Sequence, residues 1–190
     1  MTTCHVVTAA RSIAAAQFAR CGWDVSVLYG ASKPEYDFVV VKGGCVLKII
    51  VKGSQDGYWW LAQAHYAGMN SYEHIDAWAK KQGKSIIFCF VQFKDCDVDV
   101  LPRLYLATVK EIVGRLKDTQ KGQGHTILYE NHTWGSKTMA CPPGTVDKIP
   151  DEWRFSESRI QELYQRVQNE TPRAVADARG TSSFNNNTTA

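Results

Sequence analysis

Apolar positions recur with helical spacing in four stretches of the chain and with strand spacing in six others. The predicted helices are 9–21, 70–82, 108–117 and one beginning at Ser156, and the predicted strands are 23–29, 37–42, 45–52, 85–93, 102–107 and 126–129. The stretch 85–93 is apolar throughout, which is typical of a strand covered on both faces. This order of elements predicts an α/β fold with a mixed central β-sheet and flanking helices.

The strands 37–42 and 45–52 are joined by Gly43-Gly44, which predicts a hairpin with a two-residue turn. Continued along both strands, that turn places Asp37 opposite Ile50 and Glu35 opposite Lys52. One face of the hairpin is then entirely apolar and is expected to be buried under a helix. The residues of that face are Phe38, Val40, Leu47, Ile49 and Val51.

The other face of the hairpin gathers two carboxylates and an ammonium at its open end, from Glu35, Asp37 and Lys52. Such a group could bind a divalent cation, with the lysine orienting water or neutralising charge on a phosphate. It could equally be a solvated strand face with cross-strand ion pairs. The residue pattern leaves both interpretations open.

The composition of the chain mainly excludes classes of protein and kinds of site. Apolar residues make up 44% of the chain and charged residues 22%, as in ordinary globular proteins, and the net charge of +3 is too small to indicate nucleic-acid binding. The six cysteines do not cluster, which argues against a zinc site and fits a reduced, cytoplasmic protein. No apolar run is long enough for a membrane span. Residues 1–168 are expected to form one domain and 169–190 a disordered polar tail.

The residues of the hairpin resemble those of a known superfamily. A first helix ending at Gly22-Trp23, Tyr36-Asp37 at the start of a hairpin, and Ile50-Val51-Lys52 at its end resemble the PD-(D/E)XK nucleases, over about residues 9–93. The stretch Val-Lys-Gly-Ser-Gln-Asp-Gly at 51–57 is also similar to uncharacterised bacterial proteins. The resemblance implies a restriction-endonuclease-like fold and a Mg²⁺-dependent DNA endonuclease.

Carried over by position, Asp37 would hold Mg²⁺ and Lys52 would assist the attacking water. The acid of the (D/E)XK triplet is replaced by Ile50, which cannot ligate a metal. The helix glutamate that the superfamily often carries before the first strand is also missing, and its neighbourhood holds Arg11, Ser12 and Gln17. Glu35 is the preferred substitute ligand because the hairpin pairing puts it on the face of Lys52. Asp56, in the loop that follows, is the second choice. The alternative is a catalytically inactive scaffold that acts as a regulatory or interaction protein.

Further residues are candidates for binding DNA or for supporting catalysis. Gln63 and Tyr66 fall where some of these nucleases carry a Gln and a Tyr, so the resemblance implies a catalytic role for Gln63. Lys48, Ser54 and Gln55 are candidate nucleic-acid contacts. The cluster Tyr58-Trp59-Trp60 could stack on bases, anchor a partner or pack under its own loop. DNA is therefore the expected partner, and a homodimer is left open.

Overall fold

The computed structural model describes residues 1–27, 35–61, 71–83, 85–118, 126–135 and 142–170. The four helices in this part of the chain are α1 (Thr3–Arg20), α2 (Ser71–Lys80), α3 (Val109–Asp118) and α4 (Glu157–Glu170). The strands are β1 (Asp24–Val27), β2 (Phe38–Lys42), β3 (Cys45–Ser54), β4 (Tyr58–Trp60), β5 (Ile86–Gln92), β6 (Arg103–Thr108), β7 (Ile127–Tyr129), β8 (Asn131–Thr133) and β9 (Val146–Lys148). Residues 171–190, most of the predicted tail, lie outside the described residues.

Five of the strands form a central mixed sheet in the order β1-β2-β3-β5-β6. The pair β3 and β5 is parallel and the other neighbours are antiparallel. Two further sheets have two strands each, one formed by β4 and β7 and the other by β8 and β9. The predicted α/β class with a mixed central sheet and flanking helices is confirmed.

The β2–β3 hairpin has the predicted register, from Phe38 paired with Ile49 to Lys42 paired with Cys45. Gly43 and Gly44 both adopt positive φ angles, of 56° and 79°. A two-residue turn of this kind requires left-handed backbone at both positions, which glycine reaches without steric cost. The turn therefore sets which side chains of the hairpin share a face.

The apolar face of the hairpin packs under α1 and α4, as predicted for a buried face. Leu47 and Ile49 are fully buried there, together with Ala10 and Ala14 of α1 and Leu163 of α4. The helix comes very close to β3, because a Cβ on Gly53 would stand 2.7 Å from the Ala10 Cβ. Glycine at 53 thus allows the close approach that places α1 against the sheet.

The opposite face of the sheet is covered unevenly. Helices α2 and α3 bury the β5 and β6 side of this face in a second core, and every residue of β5 is buried. The hairpin side of the same face is more open, with Val46 51% exposed, Lys48 exposed and Ile50 only partly buried. The open part of this face is where the candidate site lies.

Two element boundaries differ from the predictions for physical reasons. Helix α1 begins at Thr3 rather than at residue 9, because the Thr2 hydroxyl accepts a hydrogen bond from the His5 N–H and Val6 is buried against the sheet. Strand β2 begins at Phe38, so Asp37 precedes it. The predicted caps at Thr108–Glu111 and at Ser156 are formed. The predicted cap at Asn70 lies outside the described residues.

Candidate functional site

Asp37 is held by backbone and side-chain contacts just before β2. Its N–H donates to the Ile49 carbonyl at 2.8 Å, and its Oδ2 accepts a hydrogen bond from the Val51 N–H at 2.7 Å. Its Oδ1 lies 2.5 Å from Arg11 Nη2, and the Asp37 side chain is only 13% exposed. The carboxylate thus completes the hydrogen bonding of β3 where β2 is absent, and both of its oxygens are engaged.

Arg11 reaches Asp37 from α1, at the point where α1 is closest to β3. It follows Ala10, whose Cβ occupies the space that a side chain on Gly53 would need. The Arg11 side chain remains 47% exposed. In the neighbourhood where the superfamily resemblance implies a helix glutamate, Arg11 therefore supplies a guanidinium that neutralises Asp37.

Lys52 lies on β3, paired in parallel register with Phe90 of β5. Partial burial lowers the pKa of the Lys52 ammonium, with the Asp37 carboxylate opposing this shift and the Arg11 guanidinium adding to it. The three groups therefore share one region at the open end of the hairpin. Two cations beside one carboxylate leave this region with a net positive charge.

Ile50 stands on the same face of β3 as Lys52, since alternate residues of a strand share a face. It packs against the second core instead of offering a polar atom to the site. Among the residues that the structure describes, no group of three or more His, Cys, Asp or Glu side chains could hold a metal ion. With Asp37 already engaged, the described donors do not fit Mg²⁺, which prefers several oxygen ligands.

Glu35 lies near Lys48 rather than in the strand ladder. The sequence predicted that Glu35 lies opposite Lys52 in the hairpin. The antiparallel pairing ends at Phe38, so it does not extend to these two residues. Instead, Glu35 and Lys48 line a cavity of about 220 Å³ together with Gly83. Lys48 Nζ also lies 5.4 Å from the centre of the Tyr36 ring, a favourable cation–π geometry.

The other predicted residues are spread along the loop after β3. Ser54 is buried, and its hydroxyl accepts a hydrogen bond from the Asp56 N–H at 3.1 Å, while Asp56 itself is exposed. The Gln55 side-chain amide exchanges hydrogen bonds with Met1, at 3.0 Å and 3.1 Å. Gln63, with Tyr66, lies outside the described residues.

Sequence reasoning did not identify the pairing of Arg11 with Asp37. The signal was present in part, because α1 buries Ala10 and Ala14 on the sheet and Arg11 adjoins that stripe. Sequence reasoning also did not single out Gln92, which is fully buried at the end of β5 and pairs with Ser54 of β3. Its Nε2 finds no hydrogen-bond partner in the described part of the chain.

Comparisons with known proteins add little to this geometry. No family of proteins and no curated protein sequence matches the chain. Among solved structures, the fold is similar to that of a bacterial homing endonuclease, I-Ssp6803I, with a TM-score of 0.48 and 13% sequence identity, covering 90% of this chain and 99% of that one. None of the helices in the described ranges is both long and apolar enough to cross a bilayer. The function of this chain therefore has to be argued from its own residues.

Proposed function

We propose that this chain binds the phosphodiester backbone of DNA on a nuclease-like scaffold without cutting it, and acts as an interaction or regulatory protein. The observation that supports this proposal is the ion pair between Arg11 and Asp37, at 2.5 Å. It places a fixed positive charge against the carboxylate that a nuclease of this type would use to hold its metal. A divalent cation would have to displace that guanidinium before it could bind.

The charge balance of the site favours an anion over a cation. Arg11 and Lys52 supply two positive charges and Asp37 supplies one negative charge. Lys48 lies on the same face of β3 as Lys52, about 13 Å away along the strand. A phosphate group can compete with Asp37 for the half-exposed Arg11 side chain and gain a further contact from the Lys52 ammonium.

A Mg²⁺-dependent DNA endonuclease is the second candidate, and one observation favours it. The Arg11 side chain is 47% exposed, so solvent can accommodate its guanidinium when the ion pair breaks and one oxygen of Asp37 is released. Glu35 or Asp56 would then have to supply a second carboxylate, with Lys52 near the phosphate. This function requires both the loss of the Arg11–Asp37 ion pair and the approach of a second carboxylate, whereas phosphate binding requires only that Arg11 exchange one anionic partner for another.

Duplex binding tests the first proposal directly. Wild type, Arg11→Gln and Lys52→Met would be titrated against a labelled duplex by fluorescence anisotropy at several salt concentrations. Each substitution is expected to weaken binding of all sequences alike and to reduce the slope of log affinity against log salt by about 1. Arg20→Gln is the matched control, because Arg20 is an exposed arginine on the same helix, away from Asp37. Unchanged binding by both site variants would overturn the proposal.

Metal titration separates the two candidates. Calorimetry with Mn²⁺ is expected to detect no binding to wild type, and binding to the double variant Arg11→Gln with Ile50→Glu, because that variant frees one carboxylate and adds another. Cleavage of DNA by wild type in Mg²⁺, lost in Asp37→Asn and Lys52→Met, would instead establish the endonuclease.

A further inference from the structure

The aromatic cluster at residues 58–60 is divided between the core and the surface by the pairing of β4 with β7. Trp59 pairs with Leu128, and both are buried. The Trp59 indole N–H donates to the Val91 carbonyl at 3.3 Å, and its ring lies 5.2 Å from that of Phe90. Because strand residues alternate between faces, Tyr58 and Trp60 point to the opposite side of this small sheet.

That opposite side carries a continuous set of ring contacts, here called the aromatic surface. Its members are Tyr58, Trp60, Tyr129 and His132, and the buried Trp134 contacts the rings of the last two. The Tyr58 ring lies 6.2 Å from Trp60 and 5.9 Å from its cross-strand partner Tyr129, and His132 stacks on Tyr129 at 4.4 Å. These rings hold one another in place, so the surface is arranged before any partner arrives.

Trp60 is the exposed member of the aromatic surface. It is 51% exposed, whereas Trp59, its neighbour in the chain, is 2% exposed. Leaving half of an indole in water forgoes the stabilisation that its burial would bring. The edge-to-face contact with the Tyr58 ring, at 6.2 Å, presents its free area in a defined position.

The surroundings of the aromatic surface favour the bases of a nucleic acid over its backbone. One exposed cation, Lys94, lies beside it, with Nζ 3.5 Å from where a Cβ on Gly57 would stand. Within the described ranges no carboxylate pairs with that ammonium, but three acidic residues, Asp95, Asp97 and Asp99, follow it along the chain. The single ammonium can contact one phosphate while the acidic residues disfavour others, so stacking on bases rather than backbone contacts would supply the affinity at this surface.

The chain also connects this surface to the proposed phosphate site. Strand β3 ends at Ser54, two residues after Lys52, and β4 begins at Tyr58 after a short turn. Only five residues therefore separate Lys52 from Tyr58 in the sequence.

We infer that the aromatic surface binds single-stranded nucleic acid by stacking unpaired bases on Trp60 and Tyr58. The inference deepens the proposed function and rests on it for the backbone contacts alone. Aromatic stacking is tolerant of base identity, because every base offers a π-face. The site is therefore expected to prefer unpaired strands to duplexes with little sequence preference.

Fluorescence anisotropy with a labelled oligodeoxythymidine tests the inference. Trp60→Ala is expected to weaken binding about tenfold, and Trp60→Phe less, because a ring remains for stacking. Tyr72→Ala is the matched control, since Tyr72 is a 41% exposed aromatic residue on α2, and it should bind as wild type does. Unchanged thermal unfolding of the variants would show that the fold is intact.

An abasic oligonucleotide of the same length separates bases from phosphates. Wild type and Trp60→Ala are expected to bind it equally, because it offers nothing to stack. Equal binding of oligodeoxythymidine by wild type and Trp60→Ala, or an equal loss on the abasic strand, would overturn the inference. Arg11→Gln and Lys52→Met report separately on the proposed function. If both leave duplex and abasic binding unchanged while Trp60→Ala still loses oligodeoxythymidine, the phosphate site fails and the stacking surface stands.

Discussion

Gly53→Ala perturbs the contact that places α1 against the sheet. The added Cβ would stand 2.7 Å from the Ala10 Cβ, 2.9 Å from the Val6 carbonyl oxygen and 3.0 Å from Val6 Cγ1. Two of these atoms cannot move by rotating a side chain, because one is a Cβ and the other belongs to the backbone. The helix itself must therefore shift away from β3.

Such overpacking typically costs about 1–3 kcal/mol of unfolding free energy. We expect Gly53→Ala to fall within that range, because the two closest contacts lie below 3.0 Å and are rigid. The displaced helix carries Arg11, which adjoins Ala10, so the ion pair to Asp37 should also loosen. A loss of stability and a weakening of DNA binding are expected together.

Urea unfolding followed by circular dichroism measures the effect, with Gly114→Ala as the matched control. Gly114 lies in α3, is exposed, and has no atom within 4 Å of the position where its Cβ would stand. The same glycine-to-alanine change should there stabilise the protein by about 1 kcal/mol, because alanine is the better helix former. A stability of Gly53→Ala equal to or above that of wild type would refute the close-approach argument.

Two further perturbations probe buried charge. Burial lowers the pKa of Lys52 in the folded state, so between that pKa and the ordinary lysine value the unfolded chain binds more protons than the folded chain and the free energy of unfolding rises with pH. Lys52→Met removes this group, so it should be more stable than wild type at neutral pH and should lose the rise. Urea unfolding across a pH series measures both effects. Arg159, with a side chain 2% exposed, donates to the Leu106 carbonyl and to Glu111, so Arg159→Leu should lose about 3–5 kcal/mol of unfolding free energy. Arg166→Leu is its control, because Arg166 pairs with the same Glu111 from a 48% exposed position and should cost less than about 1 kcal/mol; equal losses in the two variants would contradict the role of burial.

Much of the local structure could be predicted because its causes lie close together in the chain. The Gly43-Gly44 turn sets the hairpin register, and with it the burial of Leu47 and Ile49. The cap formed by Thr108 and Glu111 is likewise made between near neighbours. Turn and cap geometries require particular residues at fixed spacings, so they are legible in the sequence.

The burial of the aromatic residues 58–60 could not be predicted in this way. These residues could be read as core or as surface, and the pairing of β4 with a distant strand, β7, assigns Trp59 to the core and Trp60 to the surface. Neither strand is long enough to show a clear period by itself. A three-residue strand acquires its faces only from the partner beside it.

The sequence shows which types of residue are available at the candidate site. The tertiary structure decides which charges face one another there. The sequence already contained Asp37, Lys52 and the isoleucine at position 50, and so predicted a site lacking one acid. Which charge would face Asp37 depended on how closely α1 packs on β3, and that distance depends on the absent side chain of Gly53. Ion pairs between distant segments form only where packing brings their side chains within a few ångströms, and packing is a property of the whole fold.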